Sequence, residues 1–353
     1  MKNTWLQIVL STLSLALAVT LVVYLPQIVH ALTGKPVSWH EIGRVFGTLG
    51  AGTIALMTAL WLLSLLAYTF VLTGSLPGLN NLQALTLNAA GSAVSNLLPF
   101  GGAAGVALTF GMTRGWGFAN RAIVVMTLVS GIWNTLFRFI LPAVGIIALL
   151  MAGEVPNATV AKAGWTGAIS ILALCAVVAA ALYWDRAAAL LGRFLDALAR
   201  LVRLRRVRPS EALDHLRADT AKTVRTKWAQ LSVAMVFFLG LQWAIMAVCM
   251  HATGAYPGLA QSIAVFALSR VLTSALITPS GAGIMEGGVV LLLTAFGVAA
   301  APATATALLF GFWTYTIEIP FGGLALGAWA LLRRRNGRNA PTEPPSTISK
   351  APQ

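Results

Sequence analysis

Two ionisable residues of opposite sign, Arg138 and Glu318, lie deep inside long apolar stretches of the chain. An arginine at the centre of a membrane helix costs about 2.5–3.5 kcal/mol on insertion scales, so it needs a counter-charge or a polar cavity. Its planar guanidinium suits a phosphate held through two hydrogen bonds, with Glu318 as resting counter-ion or as a carboxylate that couples a proton. A purely structural ion pair fits the same two residues equally well. Arg270 and Glu286 flank a second place where both roles recur, around Thr278-Pro-Ser-Gly-Ala-Gly-Ile-Met-Glu-Gly-Gly288. A related stretch, Asn96-Leu-Leu-Pro-Phe-Gly-Gly-Ala-Ala-Gly105, lies in the first half. Proline and clustered glycine break helices, which frees backbone groups that hydrocarbon cannot satisfy; such a break must be buried in protein or face a watery cavity. Half-helix ends there offer N–H groups and a positive dipole to an anion, whereas a plain surface loop would offer neither.

Candidate substrate-binding residues are therefore Asn96, Pro99, Gly101, Arg138, Arg270, Pro279, Ser280, Gly281, Gly283, Glu286 and Glu318. Asn88, Asn134 and Gln242 add polar groups within spans, where an amide also serves as packing glue between helices. Cys175 and Cys249 lie in apolar segments without metal-type spacing, and His30, His40, His215 and His251 are scattered. The expectation is no metal, no cofactor and no catalytic residue.

The elements that carry these residues repeat. Gly91 to Ile147 lies on Val271 to Gly327 without insertion at an offset of 180, aligning Pro99 with Pro279, Gly101 with Gly281, Gly131 with Gly311 and Trp133 with Trp313. Arg138 falls on Glu318 at the same offset. Two such halves suggest a membrane protein with a binding site where the repeats meet.

Composition agrees with a bilayer, since 58% of the 353 residues are hydrophobic and 10% are charged, against roughly a quarter charged in soluble domains. Spans are expected at Trp5–Leu25, Arg44–Leu72, Ala119–Met151, Ala163–Trp184, Trp228–Met250 and Ala303–Leu332. Leu82–Leu98, Ala103–Gly115, Gln261–Thr278 and Gly287–Gly297 are short spans or re-entrant half-helices. Trp5–Leu25 reads as a retained first span. Trp116, Trp165, Trp184, Trp228 and Trp329 read as interfacial anchors.

The net charge of +14 is concentrated in two places. Residues 185–227 hold eleven Lys or Arg against five Asp or Glu, and residues 333–353 hold five against one. Both clusters adjoin spans, as the positive-inside rule and anionic lipids require, and no recognition motif points to nucleic acid. Placing both clusters in the cytoplasm puts the two termini there, and the odd span Ala163–Trp184 then inverts one repeat relative to the other. Asp185–Arg205 reads as a surface-lying amphipathic helix, with a solvated cytoplasmic helix pair as the alternative.

The expected fold is thus all-α, a polytopic transmembrane bundle with two inverted repeats and broken helices in one membrane domain over residues 1–332. Repeat one covers about 44–150 and repeat two about 224–332, followed by a disordered basic tail at 333–353.

Asn96, Pro99, Gly101, Gly102 and Gly105, and above all Arg270-Val-Leu-Thr-Ser-Ala-Leu-Ile-Thr-Pro-Ser-Gly-Ala-Gly-Ile-Met-Glu286, resemble the flippase-like integral-membrane family typified by the transmembrane region of lysylphosphatidylglycerol synthase. The first-half loop departs from the family pattern, carrying Phe100, Gly101 and Ala103 where an arginine and an acidic residue are common. The resemblance implies translocation of an anionic phospholipid or lipid-linked carrier between leaflets of the inner membrane. No aminoacyl-transfer domain is expected after the last span, which argues against lipid aminoacylation. Expected partners are membrane lipids with anionic headgroups, together with a second copy of the chain or a biosynthetic membrane protein. Rival readings are a lipid-modifying membrane enzyme and a non-transporting partner of a lipid or glycan biosynthesis enzyme.

Overall fold

The computed structural model describes residues 12, 16–17, 19–98, 101–154, 158–183, 211–273 and 281–338. The Asp185–Arg205 amphipathic helix, most of the Trp5–Leu25 span, and Pro99, Pro279 and Ser280 lie outside these residues. The described residues form an all-helical bundle without a strand. In chain order the helices are α1 (Leu25–Thr33), α2 (Trp39–Gly47), α3 (Ala51–Ser75), α4 (Asn81–Leu97), α5 (Gly101–Gly115) and α6 (Asn120–Met151). They continue as α7 (Ala158–Tyr183), α8 (Glu211–Ala252), α9 (Leu259–Leu272), α10 (Ile284–Ala295), α11 (Ala300–Gly311) and α12 (Glu318–Arg338), with a π-turn, Phe312–Thr316, between the last two.

Among the described residues four segments are long and apolar enough to cross a membrane: Ala51–Ser75, Asn120–Met151, Ala218–Ala252 and Ala300–Arg333. The expected span Arg44–Leu72 is in fact two helices. Gly47 and Gly50 interrupt it, and Ser38 starts α2 with a capping box in which Glu41 accepts from the Ser38 backbone N–H at 2.9 Å. That bond and a second from the Ser38 hydroxyl, at 3.0 Å, hold the Glu41 carboxyl below its ordinary range. The expected span Trp228–Met250 is the second part of the 42-residue α8, whose first turns carry the basic residues.

Helices α3 and α8 run antiparallel along the centre of the bundle, with Gln230 Nε2 donating to Phe70 O at 3.0 Å near one end and Cys249 Sγ 3.6 Å from Met57 Sδ near the other. Helices α4 and α5 form a hairpin. Its legs pair Ser95 with Gly101 and Gly105 near the tip, and Gly91 with Thr109 further down. With 17 and 15 residues the legs are about 26 and 22 Å long, short of the roughly 30 Å hydrocarbon core. Helices α9 and α10, with 14 and 12 residues, make a second and shorter hairpin in which Leu272 meets Gly281 and Gly288.

The open ends of the two hairpins face opposite ends of the bundle. The first opens beside Arg121 and Asp219, which form an ion pair, and beside Trp329 and Arg333, which pack on Gly115. We call this the basic end, because Arg114, Arg121, Lys222, Lys227 and Arg333 gather there. The second hairpin opens at the far end, where α8 finishes and α11 begins, tied by the buried Thr253–Thr306 hydroxyl pair at 2.6 Å. Each hairpin packs on the long helix of the other half, α4 on α12 and α9 on α6. Small residues make both contacts close: Gly322 lies on the Ala89 carbonyl, and Gly145 lies against Ala264 and Ala267.

Candidate functional site

The hairpin tips point toward the middle of the bundle, and the intramembrane charges gather beside them. At the first tip, Asn96 near the end of α4 donates through Nδ2 to Glu318 Oε2 at 2.9 Å, with Tyr315 O at 3.4 Å from the same nitrogen. The Ser92 hydroxyl lies beside the same carboxylate, one helical turn earlier. Arg270, in the last turn of α9, is 7% exposed, and its guanidinium lies within electrostatic reach of both Glu318 and Arg138. Arg138 on α6 donates from Nε to Asn134 Oδ1 at 2.9 Å, and Asn134 in turn reaches the Tyr68 hydroxyl on α3 at 3.5 Å. Residues from α3, α4, α6, α9 and α12 thus build one polar cluster, two of whose three ionisable groups, Arg138 and Arg270 beside Glu318, are basic.

Glu318 and Arg138 occupy equivalent sequence positions but take different partners, and the π-turn explains why. A π-turn holds one more residue than an α-turn over the same rise, which moves each following residue round the axis by about 100°. Helix α6 has no such turn, so the structure brings Glu318 to Asn96 and Arg270 while Arg138 stays with Asn134 and Tyr68.

The second break does not send its acid into this cluster. Glu286, 1% exposed, folds back through Oε2 onto the N–H of Gly283 at 2.6 Å and caps its own helix. Its other oxygen packs at Gly311, where an added Cβ would sit 2.7 Å from Oε1 and 2.6 Å from the Tyr315 hydroxyl. Gly281 and Gly283 both have positive φ, 71° and 83°, a conformation that side-chain-bearing residues rarely adopt. An added Cβ would meet the Leu272 carbonyl at Gly281 and Leu21 at Gly283. In the first hairpin Gly101 and Gly105 are buried against Ser95, whose backbone and hydroxyl occupy the space a side chain would take.

A cavity of about 280 Å³ adjoins the cluster, enclosed by α3, α4, α5 and α6. Its lining includes Asn88 and Asn134, together with Ser92, Ser95, Thr109 and Ser130, which single-residue reading of the sequence passed over. Serine and threonine are too common in membrane helices to be noticed singly. Asn88, Ser92 and Ser95 follow helical spacing on α4, as Thr127, Ser130 and Asn134 do on α6, but that these faces meet emerges only when α4, α5 and α6 are packed, with Gly91, Gly102, Gly105 and Gly131 leaving the volume open. Ser92 and Asn134 belong to both the cavity and the charged cluster, so the two are continuous. Gln242, the remaining amide, is buried on α8 away from this lining.

No curated protein matches the chain. A family model does, that of the lysylphosphatidylglycerol synthase TM region, over residues 5–322. That match takes in both hairpins, the charged cluster and the cavity, and the chain belongs to the lysylphosphatidylglycerol synthase transmembrane-region family.

Proposed function

We propose that the chain carries a phosphate-bearing lipid headgroup, of an anionic phospholipid or a lipid-linked carrier, between the two faces of the membrane. The observation that carries this reading is the position of Arg138, Arg270 and Glu318 between the tips of two hairpins that open toward opposite ends. A cluster so placed can be uncovered from either side in turn by moving one hairpin against the long helix it packs on. The halves are read as inverted repeats. Backbone geometry supports this, since Gly117 and Gly297 share φ values of 90° and 88° at positions 180 residues apart, each leading into an alanine N-cap.

Two arginines against one glutamate leave an excess positive charge, which an arriving phosphate neutralises through charge-assisted hydrogen bonds. Glu318 then balances Arg270 when no headgroup is bound. The lipid chains stay in hydrocarbon while the headgroup crosses through the protein. The positive-inside rule places the basic end in the cytoplasm of an inner membrane. We read the chain as a transporter rather than an enzyme, with membrane lipids as its partners.

The test is reconstitution into vesicles of defined composition with a leaflet-sensitive lipid assay. Movement of a labelled anionic phospholipid above protein-free vesicles, lost in Arg138→Leu, is the expected result. A rate equal to that of protein-free vesicles for every lipid offered would overturn the reading in favour of a non-transporting partner. Net conversion of the headgroup to a new product would make it an enzyme.

A further inference from the structure

The cavity beside the cluster has a chemistry of its own. Polar side chains are expensive within a membrane domain, yet hydroxyls and amides converge here from four helices. Among the described lining residues none is a carboxylate, a lysine or an arginine. Thr127 and Ser130 spend their hydrogens on backbone carbonyls of their own helix but keep acceptor lone pairs toward the cavity. The Asn88 amide and the Thr109 hydroxyl make no hydrogen bond among the described residues, so both are available to a ligand. Such a wall, alternating donors and acceptors without charge, matches a ligand that also alternates them on every carbon. A cationic aminoacyl group would find no counter-charge in it, and an acyl chain would leave its polar groups unsatisfied.

Resting on the reading of the site as a headgroup carrier, we infer that this cavity receives an uncharged polyhydroxyl headgroup, a sugar or glycerol, whose phosphate lies at Arg138 and Arg270. The geometry suits the division of labour. Ser92 and Asn134 stand at the boundary, one beside Glu318 and the other holding Arg138, so a hydroxyl next to the phosphate meets them first. Beyond them the glycines at 91, 102 and 131 let a ring or chain approach the helix backbones closely. The volume of about 280 Å³ is small for a ligand pocket, which favours a single sugar or a glycerol over a longer headgroup.

The experiment ranks lipids of equal acyl length by equilibrium binding to the detergent-purified full chain: phosphatidylinositol, phosphatidylglycerol, phosphatidic acid and lysyl-phosphatidylglycerol. Either of the first two should bind at least tenfold more tightly than the last two, a difference of about 1.4 kcal/mol. A sugar source puts phosphatidylinositol first, and a glycerol source puts phosphatidylglycerol first. Phosphatidic acid binding as tightly as both, or lysyl-phosphatidylglycerol binding tightest, overturns the inference. In Asn88→Leu and Thr109→Val the preference should collapse to the phosphatidic acid level. Gly131→Leu should do the same by filling the cavity, because an added Cβ there meets nothing within 4 Å and the helix keeps its shape. Preference unchanged in all three variants also overturns it. The wild-type ranking stands even if a variant does not fold. A clear ranking without lipid movement in vesicles would sink the transport reading alone, whereas movement with a flat ranking would sink this inference alone.

Discussion

Asn96 and Glu318, 222 residues apart, are joined by a 2.9 Å hydrogen bond that ties the tip of the first hairpin to the start of the last helix. The bond crosses between the halves of the chain, and its acceptor is the carboxylate that faces Arg270. Asn96→Leu removes a donor from a charged acceptor that has no bulk water to turn to, which should destabilise the protein by about 1–3 kcal/mol. Thermal unfolding of the purified variant measures it, and an unchanged midpoint would show that the bond does not hold the hairpin.

Arg270 and Glu318 should be energetically coupled. Removing either one leaves the other charge in a nonpolar interior, with a cost of about 3–5 kcal/mol, while removing both should cost clearly less than the sum. A double-mutant cycle with Arg270→Leu and Glu318→Leu measures the coupling. Additive losses would mean that the two groups act independently. Arg138→Leu should be milder, because it also removes a like charge from beside Arg270, but it should abolish lipid movement.

How much of this was legible in the sequence depends on the range of the interaction. The helices, the two breaks and their glycines were readable, since apolar length and Pro/Gly chemistry act locally, as at Gly281 and Gly283. The offset of 180 set Arg138 and Glu318 at matching positions, where a pair could form, whereas the structure gives them different partners. A π-turn is invisible to alignment because it adds no residue relative to the other half; it changes only how the residues are wound. The interruption at Gly47–Gly50 was missed because the hydrophobic run continues across it. The cavity was illegible for a different reason: Asn88, Ser92 and Ser95 on α4 and Thr127, Ser130 and Asn134 on α6 each follow helical spacing, but that these faces meet across a cavity depends on the packing of four helices.

The second break should tolerate no side chain at its left-handed glycine. In Gly281→Ala the new Cβ meets the Leu272 carbonyl at 2.7 Å and the backbone must hold φ near 71°, a combination worth about 1–3 kcal/mol in strain alone. Gly287→Ala is the control in the same region, because an added Cβ there meets nothing within 4 Å. Thermal midpoints should fall for the first and hold for the second. Equal midpoints would show that the break relaxes freely around position 281.

Orientation can be read from single cysteines in a Cys175→Ala, Cys249→Ala background. Lys222→Cys lies at the basic end and should be protected from an impermeant thiol reagent in intact cells. Lys35→Cys lies at the far end beside Thr294 and should be labelled. The reverse pattern would invert the proposed topology, leaving the fold unchanged.

The π-turn makes the sharpest claim about geometry. It interrupts an otherwise continuous apolar segment, Ala300–Arg333, immediately before Glu318. Because the turn holds one residue more than an α-turn over the same rise, deleting the exposed Thr316 should restore ordinary α-helix while leaving position 318 aimed at the hairpin tip. A cysteine pair at Asn96 and Glu318, in the background lacking Cys175 and Cys249, reports this directly. Oxidative cross-linking should be efficient in the full-length chain and should stay efficient after the deletion. A pair at Asn96 and Tyr315 gives the control, since Tyr315 precedes the deleted residue and its carbonyl already lies 3.4 Å from the Asn96 amide nitrogen. Loss at position 318 with retention at position 315 would mean that the deletion rotated everything after it instead of removing the turn, because unfolding of the hairpin would abolish both. Such a rotation would sink the account in which the extra residue of this turn sets the position of the carboxylate.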